Sequence, residues 1–449
     1  MSLAAATNEW RRFGDRRFRV YHFLAMSQGV VSVLAGFDVV IPWSLAIGVP
    51  PFVAVLLGVL PLAGGMAQLV VPRLLDRTNG NLRDLTVLVA ALAEPRGLYF
   101  AVLAGFVAAG LLTGPLLVIL LAAVIAVTSA LSSIVAANLL AWHSSVLPDP
   151  ERRLVVPRLM AVSLALGALL LLPMAALLDT LVSIVGLYAY ALPFLVSGLV
   201  GVAEIFVLRR LRHPGRIVVP PRALTAEAEP TPGLNRFLRV ITVNALGMGL
   251  APAMSVFAMS VVGLSAGFAM MLGAIGNLTM VIAAAVSGGQ LSHGSSSRML
   301  RRSFAMRAAA MTSALLALPG SALAPLFLIG SVILGAIGYS SGSIAGNERL
   351  FRLISGPAVI RQHARYLARM SGGMTLGQLV GAGVIAVGGP IGYPAYAVLY
   401  ASSAVVRVIA YRQAGDPKAV PQSVSATARK PAPADASDAG ALFLGGSAE

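Results

Sequence analysis

The sequence predicts an all-α polytopic membrane protein, with about 12 transmembrane helices in two pseudo-symmetric six-helix bundles. Three observations predict it: apolar runs of span length, a one-sided distribution of arginine, and a weak internal repeat. Of 449 residues, 57% are hydrophobic and 11% charged. A soluble domain carries about 25% charged residues, so this chain lacks the polar surface to face water all round. The net charge of +16 is read as loop charge that orients the chain in a bilayer, and no nucleic-acid partner is expected.

At about 20 predominantly apolar residues per crossing, the spans can be placed in order. The first six are Val20–Ile47, Pro51–Val71, Leu85–Gly110, Pro115–Trp142, Leu159–Val182 and Ile184–Leu208. The second six are Phe237–Val262, Phe268–Val286, Phe304–Leu318, Leu323–Ala345, Met370–Val387 and Ile391–Val408. This gives a cytoplasmic N-terminus (1–19), an N-terminal bundle (20–208), a cytoplasmic linker (209–236), a C-terminal bundle (237–411) and a disordered tail (412–449). The tail is rich in Ala, Pro and Ser, a composition that cannot bury enough apolar surface to order itself. The polar start, Met1 to Arg19, has no cleavage pattern, so the first span is expected to stay as an anchor.

Arginine and lysine recur in every second connection: Arg73, Arg77 and Arg83, then Arg152, Arg153 and Arg158, then the stretch from Arg209 to Arg222. They continue at Arg298 to Arg307, at Arg349 to Arg369, and in the tail. The alternate connections, near Val49, Leu112, Thr180, Ser265, Pro319 and Gly389, hold neither residue. Only Arg96 is assigned to the interior of a span. The positive-inside rule then places both termini and the linker in the cytoplasm. Arginine outnumbers lysine 31 to 2, which together with the alanine content suggests a GC-rich bacterial source and an inner (plasma) membrane.

The repeat shows in the loops. After span four, Asn138, Pro148 and Arg152 are matched at an offset of 209 by Asn347, Pro357 and Arg361 after span ten. Parallel repeats with a site between them near the bilayer midplane are a common plan of secondary transporters. The loop after span two reads Pro72-Arg-Leu-Leu-Asp76-Arg77-Thr-Asn-Gly80-Asn-Leu-Arg83. It resembles the Gly-x-x-x-Asp-Arg-x-Gly-Arg-Arg signature that the major facilitator superfamily carries at this place. Asp76 and Arg77 match; Pro72 replaces the first Gly, Gly80 is displaced by one, and Arg83 stands for the basic pair. The corresponding loop of the second half keeps Gly289 and Leu291 and has His293 for the acid. Gly167 and Pro173 in span five lack the spacing of the family's drug–proton antiporters. The resemblance covers Val20 to Tyr411 and implies two bundles that rock about a central cavity. It gives Asp76, Arg77 and Arg83 a gating role, as a cytoplasmic latch.

Charges inside a span are costly and mark function by default. Glu94-Pro95-Arg96 puts a carboxylate and a guanidinium midway along span three, with a helix breaker between them. Glu94 is suited to exchange a proton and Arg96 to bind an anionic group, and together they suit an ion or a zwitterion; the plain alternatives are a structural ion pair with other spans, or a shifted boundary that leaves Leu85–Ala93 at the interface. Asp38 in the outer part of span one suits a proton or a cation, or simply meets the outer headgroups. Gln28, Asn138, Asn244 and Gln378 are candidate cavity-lining residues, and each alone is more often an interhelical hydrogen bond. Glu204 is expected at the cytoplasmic edge, paired with Arg209 and Arg210. Asp179 is expected in solvent.

Other chemistry is not suggested. There is no phosphate-cradling Gly-x-x-x-x-Gly-Lys loop, no cysteine, no convergent catalytic set and no pair of histidines facing across the bilayer. The reading is therefore not an enzyme and implies no cofactor or metal. It is a proton-coupled secondary transporter of a small-molecule substrate, in contact with membrane lipids. The rival is a transporter-like membrane protein that no longer transports and serves as an assembly factor, sensor or partner subunit.

Overall fold

The computed structural model describes residues 19–77, 81–146, 149–210, 232–251, 254–291, 296–353, 359–388 and 392–414. The N-terminus, most of the linker and the tail named above lie outside them. The first half contains α1 (Arg19–Leu34), α2 (Phe37–Ala46), α3 (Pro51–Gly64), α4 (Val71–Arg77), α5 (Leu82–Ala93), α6 (Arg96–Ala108), α7 (Gly114–Val146), α8 (Asp149–Val185) and α9 (Ala191–Arg210). The second contains α10 (Pro232–Leu250), α11 (Met254–Ser260), α12 (Ala266–Leu291), α13 (Ser296–Leu315), α14 (Ala324–Leu353), α15 (Val359–Gly388) and α16 (Tyr393–Gln413). No strand occurs among the described residues.

Among the described residues ten stretches are long and apolar enough to cross a membrane. One of them, Ala161–Arg210, runs for 50 residues, about twice what a 30 Å hydrocarbon layer needs. It is two crossings joined by a 3-10 turn at Gly186–Tyr190. The arginine-bearing α13 supplies the remaining crossing, held among its neighbours by Ser303, Phe304, Ala310 and Ala314, all fully buried. Twelve crossings result among the described residues, as the sequence predicts. Side chains such as Leu88 (66% exposed), Ile119 (63%) and Ile282 (67%) face outward; an apolar exterior on this scale is the surface that lipid covers.

Several spans are broken. Span one bends at Gly36 between α1 and α2, and a Cβ there would lie 2.0 Å from the Ser32 carbonyl oxygen. Span three breaks at Glu94–Pro95 between α5 and α6, because Pro95 has no N–H to donate into the preceding turn. The arginine-free ends close in tight turns. Gly48 (φ 85°) and Gly320 (φ 77°) occupy the left-handed region there, which costs a glycine nothing and any side chain about 1–2 kcal/mol.

The core is organised differently at the two ends. At the arginine-free end one apolar cluster runs through both halves, from Val39, Trp43 and Phe194 to Phe257, Ala274 and Tyr400. At the arginine-rich end there are two clusters. One draws only on the first half, from Tyr21 to Leu208, and the other only on the second, from Leu234 to Ala414. The halves are thus joined at one end and packed separately at the other. They meet along α8 with α12 and along α3 with α15. Small residues allow the approach: a Cβ on Gly58 would lie 3.4 Å from the Gln378 amide, and one on Gly65 2.9 Å from Ser371 Oγ.

Candidate functional site

The break in span three places its charges. Glu94 ends α5 and Arg96 begins α6. Two glycines of α9 bring that helix against the break. A Cβ on Gly201 would lie 2.1 Å from the Glu94 carbonyl oxygen, and one on Gly198 2.5 Å from the Leu98 nitrogen. This close approach carries Glu204, one turn after Gly201, into the same interior.

Glu204 is fully buried. It accepts a hydrogen bond from Ser27 Oγ of α1 at 3.1 Å, while its other oxygen has no partner. This corrects the expectation that Glu204 lies at the edge of its span and pairs with Arg209 and Arg210. The helix runs on one and a half turns past Glu204, and the arginines, not the acid, reach its exposed end. Gln28 lies beside the same carboxylate, and Glu94 and Arg96 are within its electrostatic reach. Two acids and one guanidinium therefore share one interior.

Glu94 is 5% exposed, and what remains open faces a cavity of about 580 Å³. Among the described residues no hydrogen bond or salt bridge joins it to Arg96. Arg96 donates from Nη1 to Ser132 Oγ of α7 at 3.0 Å, and its Nε has no partner. Among the described residues neither forms a salt bridge with another span, so the structural ion pair with other spans is not found there. The cavity is walled by α1, α3, α7, α8 and the span-three break, with Gln28, Gln68, Ser129, Ser133 and Ser163 among its other polar groups. A second cavity of about 200 Å³ adjoins it, sharing Ser32, Pro61, Arg96 and Ser129. That second chamber is mostly apolar, with Phe37, Val40, Phe100 and Ile125 in its wall.

The other predicted residues fall elsewhere. Asp38, half-buried, accepts from Asn277 Nδ2 of α12 at 3.2 Å, and a Cβ on Gly273 would lie 2.5 Å from its carboxylate. It joins the two halves instead of facing either cavity. Asp179 does the same nearer the arginine-free surface, accepting from Ser265 Oγ at 2.6 Å and from the Gly267 N–H at 3.1 Å. Gln378 lies between the halves against Gly58, its Oε1 unpaired. Asn138 is fully buried next to Leu139, which lines the large cavity; neither amide atom of Asn138 has a partner among the described residues. Asn244 contacts Met248 Sδ through Nδ2 at 3.5 Å in the second half. Among the latch residues, Arg77 is exposed and the Asp76 side chain lies outside the described residues. Arg83 donates to the Arg209 carbonyl at the end of α9. That contact stays within the first half.

Two arginines grouped with the loop and tail charges, near the ends of spans nine and twelve, prove to be interior. Arg307 and Arg407 are each 5% exposed. Arg307 donates to Met248 Sδ at 3.0 Å and to the Tyr339 carbonyl at 3.1 Å; Arg407 donates to the Arg307 carbonyl at 2.7 Å. The signal was available. Arg307 follows Arg96 at an offset of 211, close to that of the loop repeat, so it is the third-span arginine of the second half.

No protein-family model matches this chain, and no curated protein sequence does. Solved structures do. A POT family transporter crystallised with a thioalcohol-conjugated peptide shares 12% identity at a TM-score of 0.65, covering 87% of this chain and 94% of that one. A bacterial homologue of the iron transporter ferroportin, in an inward-facing state, shares 17% identity at 0.63, covering 92% and 98%. The nucleoside transporter NupG shares 11% identity at 0.61, covering 89% and 98%. The chain has the major facilitator fold. The neighbours' identities are too low to carry more than architecture. The loop resemblance at Asp76 and Arg77 and the twelve crossings fit that fold.

Proposed function

We propose that this protein is a secondary active transporter of a small solute, working by alternating access and coupled to protons through Glu94 and its neighbour Glu204. One observation carries the proposal. A carboxylate and a guanidinium, unpaired with each other, line a cavity inside a bundle of transporter fold. A membrane protein retains such charges where a charged ligand or a proton meets them. Two acids beside one guanidinium leave one negative charge unbalanced, and a proton balances it.

The separated apolar cores favour a state open at the arginine-rich end and closed at the other. By the positive-inside rule that end is cytoplasmic, and the membrane is the bacterial inner membrane. Asp38 and Asp179 then serve as contacts that hold the outer side shut and release it when the bundles rock. Asp76, Arg77 and Arg83 keep their proposed role at the inner rim.

The test uses full-length protein in liposomes enclosing a pH-sensitive dye, challenged with panels of small solutes. A solute class that drives proton movement is expected. Glu94→Gln and Glu204→Gln are expected to lose accumulation driven by a pH gradient, and Asp38→Asn to keep it. Solute accumulation unaffected by the pH gradient in the wild type would defeat the coupling. A complete lack of solute movement across the panel would defeat transport.

A further inference from the structure

We infer that the solute is a zwitterion with a small apolar side group, its ammonium held by Glu94 and its carboxylate by Arg96. The inference rests on the transport reading and names the substrate class of that same cavity.

Charge decides the first part. A lone anion approaching Arg96 would also meet Glu94 and Glu204, and a lone cation approaching Glu94 would meet Arg96. A molecule bearing both charges satisfies each group, and the site's net charge does not change when it binds. The geometry agrees. Pro95 separates the two residues at a helix break, so their side chains do not join, yet both open on one cavity. Glu94 is more than nine-tenths buried with no hydrogen-bond partner among the described residues. Arg96 spends one nitrogen on Ser132 and keeps donors free. A guanidinium fork suits a carboxylate.

Shape decides the second part. The chamber of about 200 Å³ beyond Arg96 is walled by Phe37, Val40, Phe100 and Ile125. An aliphatic or aromatic side group of a few carbons fits it. The main cavity, about 580 Å³, lies within the range of about 300–1,000 Å³ usual for small-molecule sites. The head group therefore sits at the polar junction and the side group beyond it. α-Amino acids and short peptides share this chemistry and differ in the separation of their charges.

A built-in reporter reads the occupied chamber. Phe100 packs on Phe194 at 5.4 Å, and Phe194 meets Trp43 edge-on at 5.3 Å. Trp43 is fully buried, so its emission responds to what presses on Phe100. Full-length wild-type protein in nanodiscs would be titrated with leucine, leucyl-leucine, 3-methylbutylamine and 4-methylpentanoate. Leucine or the dipeptide is expected to shift the emission saturably, and whichever binds tighter names the source. Each single-charge analogue is expected to bind at least about tenfold more weakly, the worth of one lost charged hydrogen bond. Glycine, lacking a side group, is expected to bind more weakly than leucine. In Arg96→Gln the amine should lose nothing while leucine falls to its level. Equal binding of a single-charge analogue and leucine, or no binding by either zwitterion, would overturn the inference. The two readings fail separately. A zwitterion that binds without moving protons in liposomes defeats the coupling and leaves the class. A solute of single charge that moves protons defeats the class and leaves transport.

Discussion

The two halves bury charge at corresponding places and do opposite things with it. In the first, Glu94, Arg96 and Glu204 come from spans three and six, with Ser27 of span one bonded to Glu204. In the second, Arg307 and Arg407 come from spans nine and twelve, with Met248 of span seven bonded to Arg307. The first set mixes signs and opens on a cavity. The second is wholly positive, and its described partners are backbone carbonyls, a thioether and the Tyr339 ring, whose centroid lies 5.2 Å from Arg307. Residues 232–414 contain a single acid, Glu348, more than two helical turns along α14 from the Tyr339 carbonyl that Arg307 bonds. The same plan of buried charged residues mixes signs beside a cavity in the first half and is wholly positive in the second.

The largest expected effect tests that difference in charge. Arg96→Met removes the only cation of the first set and leaves two acids facing each other. The cost is expected to be about 3 kcal/mol, the range for stripping a buried charge of its partner. Arg407→Met removes one of two like charges and leaves a flexible side chain of suitable length. Its two carbonyl partners remain within their helices, so it is expected to cost less than about 1 kcal/mol or to stabilise. Thermal unfolding in nanodiscs measures both. Equal losses would mean that Arg407 is as necessary to its half as Arg96 is to the other.

A smaller effect tests the packing that brings the charges in. A methyl on Gly201 meets only backbone: the Glu94 carbonyl at 2.1 Å and 2.6 Å, then the Pro95 nitrogen at 3.2 Å. A methyl on Gly342 meets side-chain ends, Arg307 Nη2 and Ser303 Oγ, both at 2.7 Å. Backbone cannot turn aside and these side chains can. Gly201→Ala is therefore expected to cost about 2–3 kcal/mol and Gly342→Ala about 1 kcal/mol, within the usual range for overpacking. The first should also perturb any ligand response of Trp43, and the second should not.

The joined end can be loosened next. Asn277→Ala leaves the Asp38 carboxylate without its described partner across the halves. A hydrogen bond to a charged group is worth about 1.5–3 kcal/mol, so the balance of states should move by about tenfold or more away from closure at the arginine-free end. The chain has no cysteine, so spin labels at Arg77→Cys and Arg369→Cys report that movement without background. Both positions are exposed, one in each half at the arginine-rich end. The label distance is expected to shorten in Asn277→Ala; an unchanged distribution would remove Asp38 from the closure.

How much of this was legible follows from what each signal depends on. Span count was readable because hydropathy is a property of a segment and its flanks. Glu94 and Arg96 stood out because a charge within an apolar run is rare. Glu204 did not, because two arginines follow it closely and a local reading pairs it with them; its true partner, Ser27, is 177 residues away. Arg307 and Arg407 were hidden for the same reason, each within a few residues of loop arginines. Depth near a span end depends on how far the helix continues and what it packs against. Asp38 stands out in the sequence as a charge within a span, but its contact with Asn277, 239 residues on, is set by how the halves meet. Only the packed chain shows that.

The smallest expected effect compares the rims of the two halves at the arginine-rich end. Arg83 donates to the Arg209 carbonyl, tying span three to the end of span six. Arg349 donates to Ser297 Oγ at 2.8 Å, tying α14 to the start of α13. Arg83 acts as a cation at a helix C-terminus, where the last carbonyls have no partner within the helix. Such a contact at a wet surface is worth about 0.3–1 kcal/mol and weakens with salt. Arg349 bonds a neutral hydroxyl that is itself buried, so salt reaches that contact less. Arg83→Gln is therefore expected to lower stability by about half a kcal/mol at low salt and by nothing measurable at about 1 M salt, where the screening length is about 3 Å. Arg349→Gln should show a loss that salt does not erase. If both losses vanish together, the rims of the two halves are alike, and the asymmetry between them is confined to the buried charges.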